Sequence, residues 1–258
     1  MSLRMKIGTK AALGLCAALT IGAGLVGCGK VPGHDRNKLW ELVGSRCAKD
    51  AQHHPCAVYD PQDGYALLKD LAGHGQYLLI PTRKVPGIED PSLLQTDTPN
   101  YFSEAWAERH RVSEGYGFPV SDDHLSLAIN SRDGRTQDQL HIHIDCLTPY
   151  VRGEIDKNMI GEDWTPVSLY GHPYRAKLVQ TLDQSPFRLI GAENMGDHTI
   201  VVTPGHHGGF VILDDVAHAL DRASGEEVQD HKCKIDDPKH KSMHMDGMEP
   251  GMHMNGMM

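Results

Sequence analysis

The chain has 258 residues, 40% hydrophobic and 23% charged, enough to bury a real core in one domain or two small lobes. Its formal net charge is −9, which excludes non-specific nucleic-acid binding, since that needs a basic face.

Arg4, Lys6 and Lys10 open the chain, and residues 11–26 are apolar or small apart from Thr20. This is the pattern of a secretory signal. The apolar run is short for a transmembrane helix, which needs about 20 such residues. Leu25-Val26-Gly27-Cys28 resembles a bacterial lipobox, whose cysteine is lipidated. An uncleaved signal anchor is the alternative. Both readings of residues 1–28 place the folded part in the periplasm, tethered to the inner or outer membrane of a bacterial envelope. Residues 29–36 read as a polar tether, 37–235 as the folded domain and 236–258 as a tail.

Asn37–Cys47 reads as a first helix, with Leu39, Trp40 and Val43 on one face. Gly64–Leu68 and Gln76–Pro81 read as the strands of a hairpin. Thr98 and Pro99 suit the N-cap and first turn of a helix, which Gly115 and Gly117 end. His124–Asn130 and Leu140–Cys146 read as strands around the turn Ser131–Gly134. Further on, Tyr174–Leu182 reads as helical, and 199–203 with 209–213 as a hairpin. Ser224–Cys233 reads as a helix capped by Ser224, with Glu226 and Glu227 in its first turn. No internal repeat stands out. The order of elements predicts an α+β fold with an antiparallel sheet and helices on one side.

With Cys16 in the leader and Cys28 committed to lipid, Cys47, Cys56, Cys146 and Cys233 remain. An even number in an exported protein predicts two disulfides, with three connectivities open. The expected pairs are Cys47–Cys56, closing a short loop, and Cys146–Cys233, tying a central strand to the C-terminal segment.

Chemistry concentrates in residues 130–146. Side chains alternate along a strand, so Gln139, His141 and His143 share one face, and Leu140, Ile142 and Ile144 the other. Three polar side chains on a strand with an apolar back suit a site. His-x-His would serve as two metal ligands, but no third ligand is adjacent. A neutral imidazole also attacks phosphorus, provided its second nitrogen is held by an acceptor.

The stretch resembles the nucleotide-binding strand of the histidine-triad superfamily, and more closely the CDP-diacylglycerol pyrophosphatase family. The shared segments are Leu127–Asn130 with Ser131-Arg132, Gly134–Gln137, and His141-Ile-His143-Ile followed by Cys146. Gly64-Tyr65, Leu68–Leu71, Gln76–Leu79, Pro81-Thr82, Thr98–Asn100, Gly171-His172, Arg222–Ser224, Gln229–His231 and Cys233 also match. The likeness runs from about Leu39 to Cys233.

The resemblance implies a histidine-triad-like sheet and hydrolysis of CDP-diacylglycerol to CMP and phosphatidate. His141 would be the nucleophile and His143 would hold it in the right tautomer. Gln139 stands where the superfamily has its first histidine. It cannot deliver a proton, but a departing phosphomonoester, with a second pKa near 6, needs little help. Asn130, Thr136 and Gln139 would bind phosphate oxygens, with Arg132 or Arg135 offsetting charge. A second register would make His143 the middle residue and Asp145 the last; Asn130, Gly134 and Cys146 favour the first. No cofactor is required, although a divalent ion and a homodimer are compatible with the reading.

The tail carries Met243, His244, Met245, Met248, Met252, His253 and Met254. Thioether and imidazole donors suit Cu(I) or Ag(I), so a copper-handling envelope lipoprotein is a second reading. A histidine-triad hydrolase of soluble nucleotides is a third.

Overall fold

The computed structural model describes residues 35–71, 73–191, 193–219 and 221–240. The leader, Cys28 and the methionine- and histidine-rich segment from Met243 onward lie outside the described residues. The first helix, α1 (Lys38–Glu41), runs on through wider π-type turns at Leu42–Cys47. Leu39, Val43 and Cys47, four residues apart, form its buried side.

The strands are β1 (Cys56–Asp60), β2 (Tyr65–Lys69), β3 (Tyr77–Pro81), β4 (Leu125–Ile129), β5 (Ile142–Cys146), β6 (Thr165–Leu169), β7 (His172–Val179), β8 (His198–Pro204) and β9 (Phe210–Val216). Among the described residues they make one antiparallel sheet, in the order β1-β2-β3-β5-β4-β8-β9-β7-β6. The helices α2 (Tyr101–Ala107), α3 (Arg111–Tyr116), α4 (Pro149–Lys157) and α5 (Pro186–Ile190) are short. The fold is α+β.

Both faces of the sheet are covered, not one. Leu127, Ile129, Ile142, Ile144, Ile200 and Ile212 pack with Phe102, Ala105, Val112 and Phe187 from α2, α3 and α5. On the opposite face, Ala128, Val201, Val211 and Leu213 pack with Val151 and Ile155 of α4. On that same face Ala66, Leu68, Leu78 and Ile80 pack with Leu39 and Val43. Burial on both sides explains why the central strands read as near-continuous apolar runs. The polar stretch of the second face, between its two apolar clusters, belongs to β5.

The topology does repeat. Hairpin β2-β3, helices, hairpin β4-β5 is followed by hairpin β6-β7, α5, hairpin β8-β9, and the halves join where Ala128 pairs with Val201. The side chains of the two halves differ, so the repeat is invisible in the sequence.

Some elements depart from expectation. Residues 174–179 are strand, part of β7, and not helix. The two-residue connection Tyr170-Gly171, with φ of 52° and 89°, makes a tight hairpin of β6 and β7. Residues 224–233 form only a 3-10 turn at Gly225–Val228. Ser224 does not cap it, because its hydroxyl donates to Asn130 Oδ1 at 3.0 Å. Thr98 likewise bonds the Ser92 carbonyl, at 2.5 Å, and α2 starts at Tyr101. The Thr-Pro signal operates instead at α4, where Thr148 Oγ1 accepts from Val151 N–H and Pro149 is the first helical residue.

The disulfides are Cys47–Cys56 and Cys146–Cys233. Arg36 is clasped by Asp138, and Asp236 receives Ser121 N–H and the His124 ring.

Candidate active site

The fold sets β5 between β3 and β4, with His143 flanked by Leu78 and Ala128. His141 and His143 are buried, 6% and 4% exposed, with ring centroids 4.9 Å apart. The His141 Nδ1–H donates to the Gln139 carbonyl at 2.7 Å, which leaves the lone pair on Nε2. Tautomer control therefore comes from Gln139 and not, as the resemblance implied, from His143. Burial, reinforced by neighbouring His143, lowers the His141 pKa to about 4. Burial, with the charge of His231 beside it, lowers that of His143 to about 3. Both rings are neutral at physiological pH.

The Gln76 amide nitrogen donates to His143 Nδ1 at 2.5 Å, so the hydrogen of that neutral ring sits on Nε2. Nε2 is buried without a partner. Such an orphan donor costs about 1–3 kcal/mol and awaits an acceptor. Glu226 Oε1 lies 3.3 Å from His143 Nδ1 and 4.0 Å from His231 Nε2. The other Glu226 oxygen accepts from Asn130 Nδ2 at 2.6 Å. His231 in turn donates through Nδ1 to Asp145 at 2.7 Å, and this hydrogen bond raises its pKa. Tyr116 and the Cys146 N–H complete the Asp145 carboxylate.

The other sequence-derived residues sit differently. The Gln139 side chain accepts from Val85 N–H and donates to the Pro81 and Arg83 carbonyls, so its amide is committed to the backbone. Asn130 is beside the pair through Glu226, with its carbonyl oxygen taken by Ser224 and the Glu226 N–H. Arg135 is buried in a bidentate pair with Glu89 and also meets Asp138. Arg132 is exposed and pairs with Asp197, and Thr136 is exposed in the loop. His172 pairs with Glu227.

Sequence reasoning missed Gln76, Glu226 and His231 as site members, and named Asp145 only in the second register. Gln76 and His231 lay within matched segments. Glu226 read as a first-turn helix residue because nothing local marks it otherwise.

Fold and site together describe an α+β protein with two neutral imidazoles at the centre of an antiparallel sheet. Residues 34–237 match the family model of the CDP-diacylglycerol pyrophosphatases. The chain belongs to that family, and so is a hydrolase that cuts the pyrophosphate bond of CDP-diacylglycerol in phospholipid metabolism.

Proposed function

We propose that CDP-diacylglycerol is hydrolysed through a covalent CMP–His141 intermediate, in the manner of the histidine-triad enzymes the sequence resembles. The observation that carries the reading is the Nδ1–H of His141 held by the Gln139 carbonyl on a neutral ring. His141 Nε2 attacks the cytidine-side phosphorus. An N–P bond forms, the P–O bond to the bridging oxygen breaks, and phosphatidate leaves as an anion. The orphan Nε2–H of His143 donates to a phosphoryl oxygen, which is the acceptor it lacks. Water then attacks phosphorus, the N–P bond breaks, and CMP departs. Glu226, between His143 and Asn130, accepts the proton of that water. None of these steps requires a metal or cofactor.

The test is CMP release by the full chain in detergent with EDTA, alongside samples quenched in alkaline denaturant, which spares an N–P bond, with label on the cytidine side. Wild type should release CMP and retain label on protein, and His141→Ala should do neither, losing about a thousandfold in rate or more. Release undiminished in His141→Ala would overturn the mechanism.

The envelope setting is proposed on separate grounds: the leader with Cys28, and two disulfides, which persist in oxidising compartments. A tether suits a substrate whose acyl chains stay in the bilayer. Among the described residues no helix is long and apolar enough to cross a membrane. Cys28→Ala should lose lipid labelling, whereas an uncleaved anchor would leave membrane attachment unchanged. Cu(I) or Ag(I) binding by the tail is a further proposal: deleting residues 241–258 should abolish it and leave hydrolysis intact.

A further inference from the structure

The second half of the sheet repeats the placement of the first with other side chains. His143 lies opposite Ala128 and Leu213 opposite Val201, and Ala128 and Val201 pair with each other. Leu213 therefore holds the place of His143, Val211 that of His141, and Asp215 that of Asp145. On the adjoining strands Tyr77 lies opposite Ile144 and Arg175 opposite Asp214, which aligns Gln76 with Tyr174. The imidazole pair has become two aliphatic residues under α4, but the acid remains.

Its surroundings differ sharply. Asp145 has both oxygens hydrogen-bonded. Asp215 is 1% exposed, and neither of its oxygens has a hydrogen-bond partner. Asp221 Oδ2 is likewise buried without a hydrogen bond. Ligand atoms of His172, Asp215 and Glu227 lie within 4.8 Å of one another, and so do those of Asp215, His218 and Asp221. His172 Nδ1 is 2.8 Å from Glu227 and 3.8 Å from Asp221, and His218 Nδ1 is 3.9 Å from Asp221. Outer contacts hold these groups: Tyr174 OH donates to Glu227 Oε1 at 2.6 Å, and Ala223 N–H to Asp221 Oδ1 at 2.9 Å.

We propose that Asp215, His172 and Glu227, together with Asp221 and His218, bind one divalent cation of the zinc type. Mixed imidazole and carboxylate donors suit that ion, and ligand distances near 2.0–2.2 Å require the donors to close by only about an ångström. Three neighbouring carboxylates, one buried without a donor, present a charge that a cation neutralises. The ion would also clamp His218, Asp221 and the turn at 225–228 onto the sheet. Glu227 adjoins Glu226, so the clamp reaches the edge of the active site without joining its chemistry. The proposal does not rest on the mechanism at His141.

Zinc retained after dialysis and thermal unfolding with ZnCl2 or EDTA test the idea on the full chain. The variants are Asp215→Asn and His172→Gln, both near-isosteric. Wild type should keep one more equivalent of zinc than either variant, a comparison that cancels any zinc on the tail. Its Tm should rise about 5–10 °C at a hundredfold excess over Kd, with little rise in the variants. Equal zinc content and equal Tm response in all three proteins would overturn the site.

Discussion

A buried imidazole is useful as a nucleophile because desolvation keeps it neutral, and His141 and His143 share that environment. The consequence for stability has a definite sign. Their folded pKa values, about 4 and about 3, lie below the ordinary histidine value, so the unfolded chain takes up protons first as pH falls. The stability these groups allow is whole above about pH 6.5 and declines toward pH 4. His231, whose pKa Asp145 raises, contributes in the opposite sense, with stability lost as pH rises through its folded value. Urea midpoints measured from pH 4 to 7 should fall on acidification, and His143→Gln should flatten that fall. The same burial predicts that kcat/KM stays high well below pH 6.5; an acid limb centred at pH 6.5 would contradict a neutral, desolvated His141. Glu226→Gln should slow the second step more than the first, and rapid quench in alkaline denaturant should then show more labelled protein than in wild type. The histidines were legible because alternation along one strand put them on one face. Gln76, Glu226 and His231 were not, since they come from distant segments and meet only in the folded sheet.

Among the elements, α4 and β7 show how local signals act. Thr148-Pro149 starts a helix because the hydroxyl takes the Val151 N–H and proline supplies the first-turn φ. The same dipeptide at Thr98 fails, its hydroxyl being spent on Ser92. Thr148→Ala should cost about 1 kcal/mol in chemical denaturation, whereas Thr98→Ala should leave α2 unchanged in circular dichroism. Residues 174–179 read as helix in isolation, but partners on both sides make them strand: β6 through the Tyr170-Gly171 turn, and β9 across Arg175 and Asp214. The segment 224–233 loses its helix because Ser224, Glu226 and Glu227 are each bound to groups far away in sequence. Leu213, fully buried beneath α4, should cost about 2–5 kcal/mol when replaced by Ala, read from the urea midpoint.

Across the whole molecule, two halves of like topology join edge to edge, and the second disulfide fastens the C-terminal segment to β5. Cys146–Cys233 spans 87 positions and Cys47–Cys56 spans 9. Closing the longer loop removes more freedom from the unfolded chain, by about 4–5 kcal/mol against about 2–3 kcal/mol. Serine pairs at Cys146 and Cys233 should therefore lower stability more than serine pairs at Cys47 and Cys56, and should also loosen His231, two residues from Cys233. Equal losses would show that loop entropy is not the main contribution.

By itself the sequence determined the α+β class, the even set of four cysteines, the apolar core positions and the face carrying His141 and His143, whereas the pairing of those cysteines was left open until the fold brought them together. These depend on residue type and short-range period, which are local properties of a chain. Only the tertiary structure decided what completes the site and what the second half is. The Gln139 carbonyl, Gln76 and the Glu226–His231–Asp145 contacts depend on strand register, and so does the correspondence of Asp215 with Asp145. Register is fixed by pairing between distant segments, under the joint demand that every buried apolar face be covered and every buried polar group find a partner.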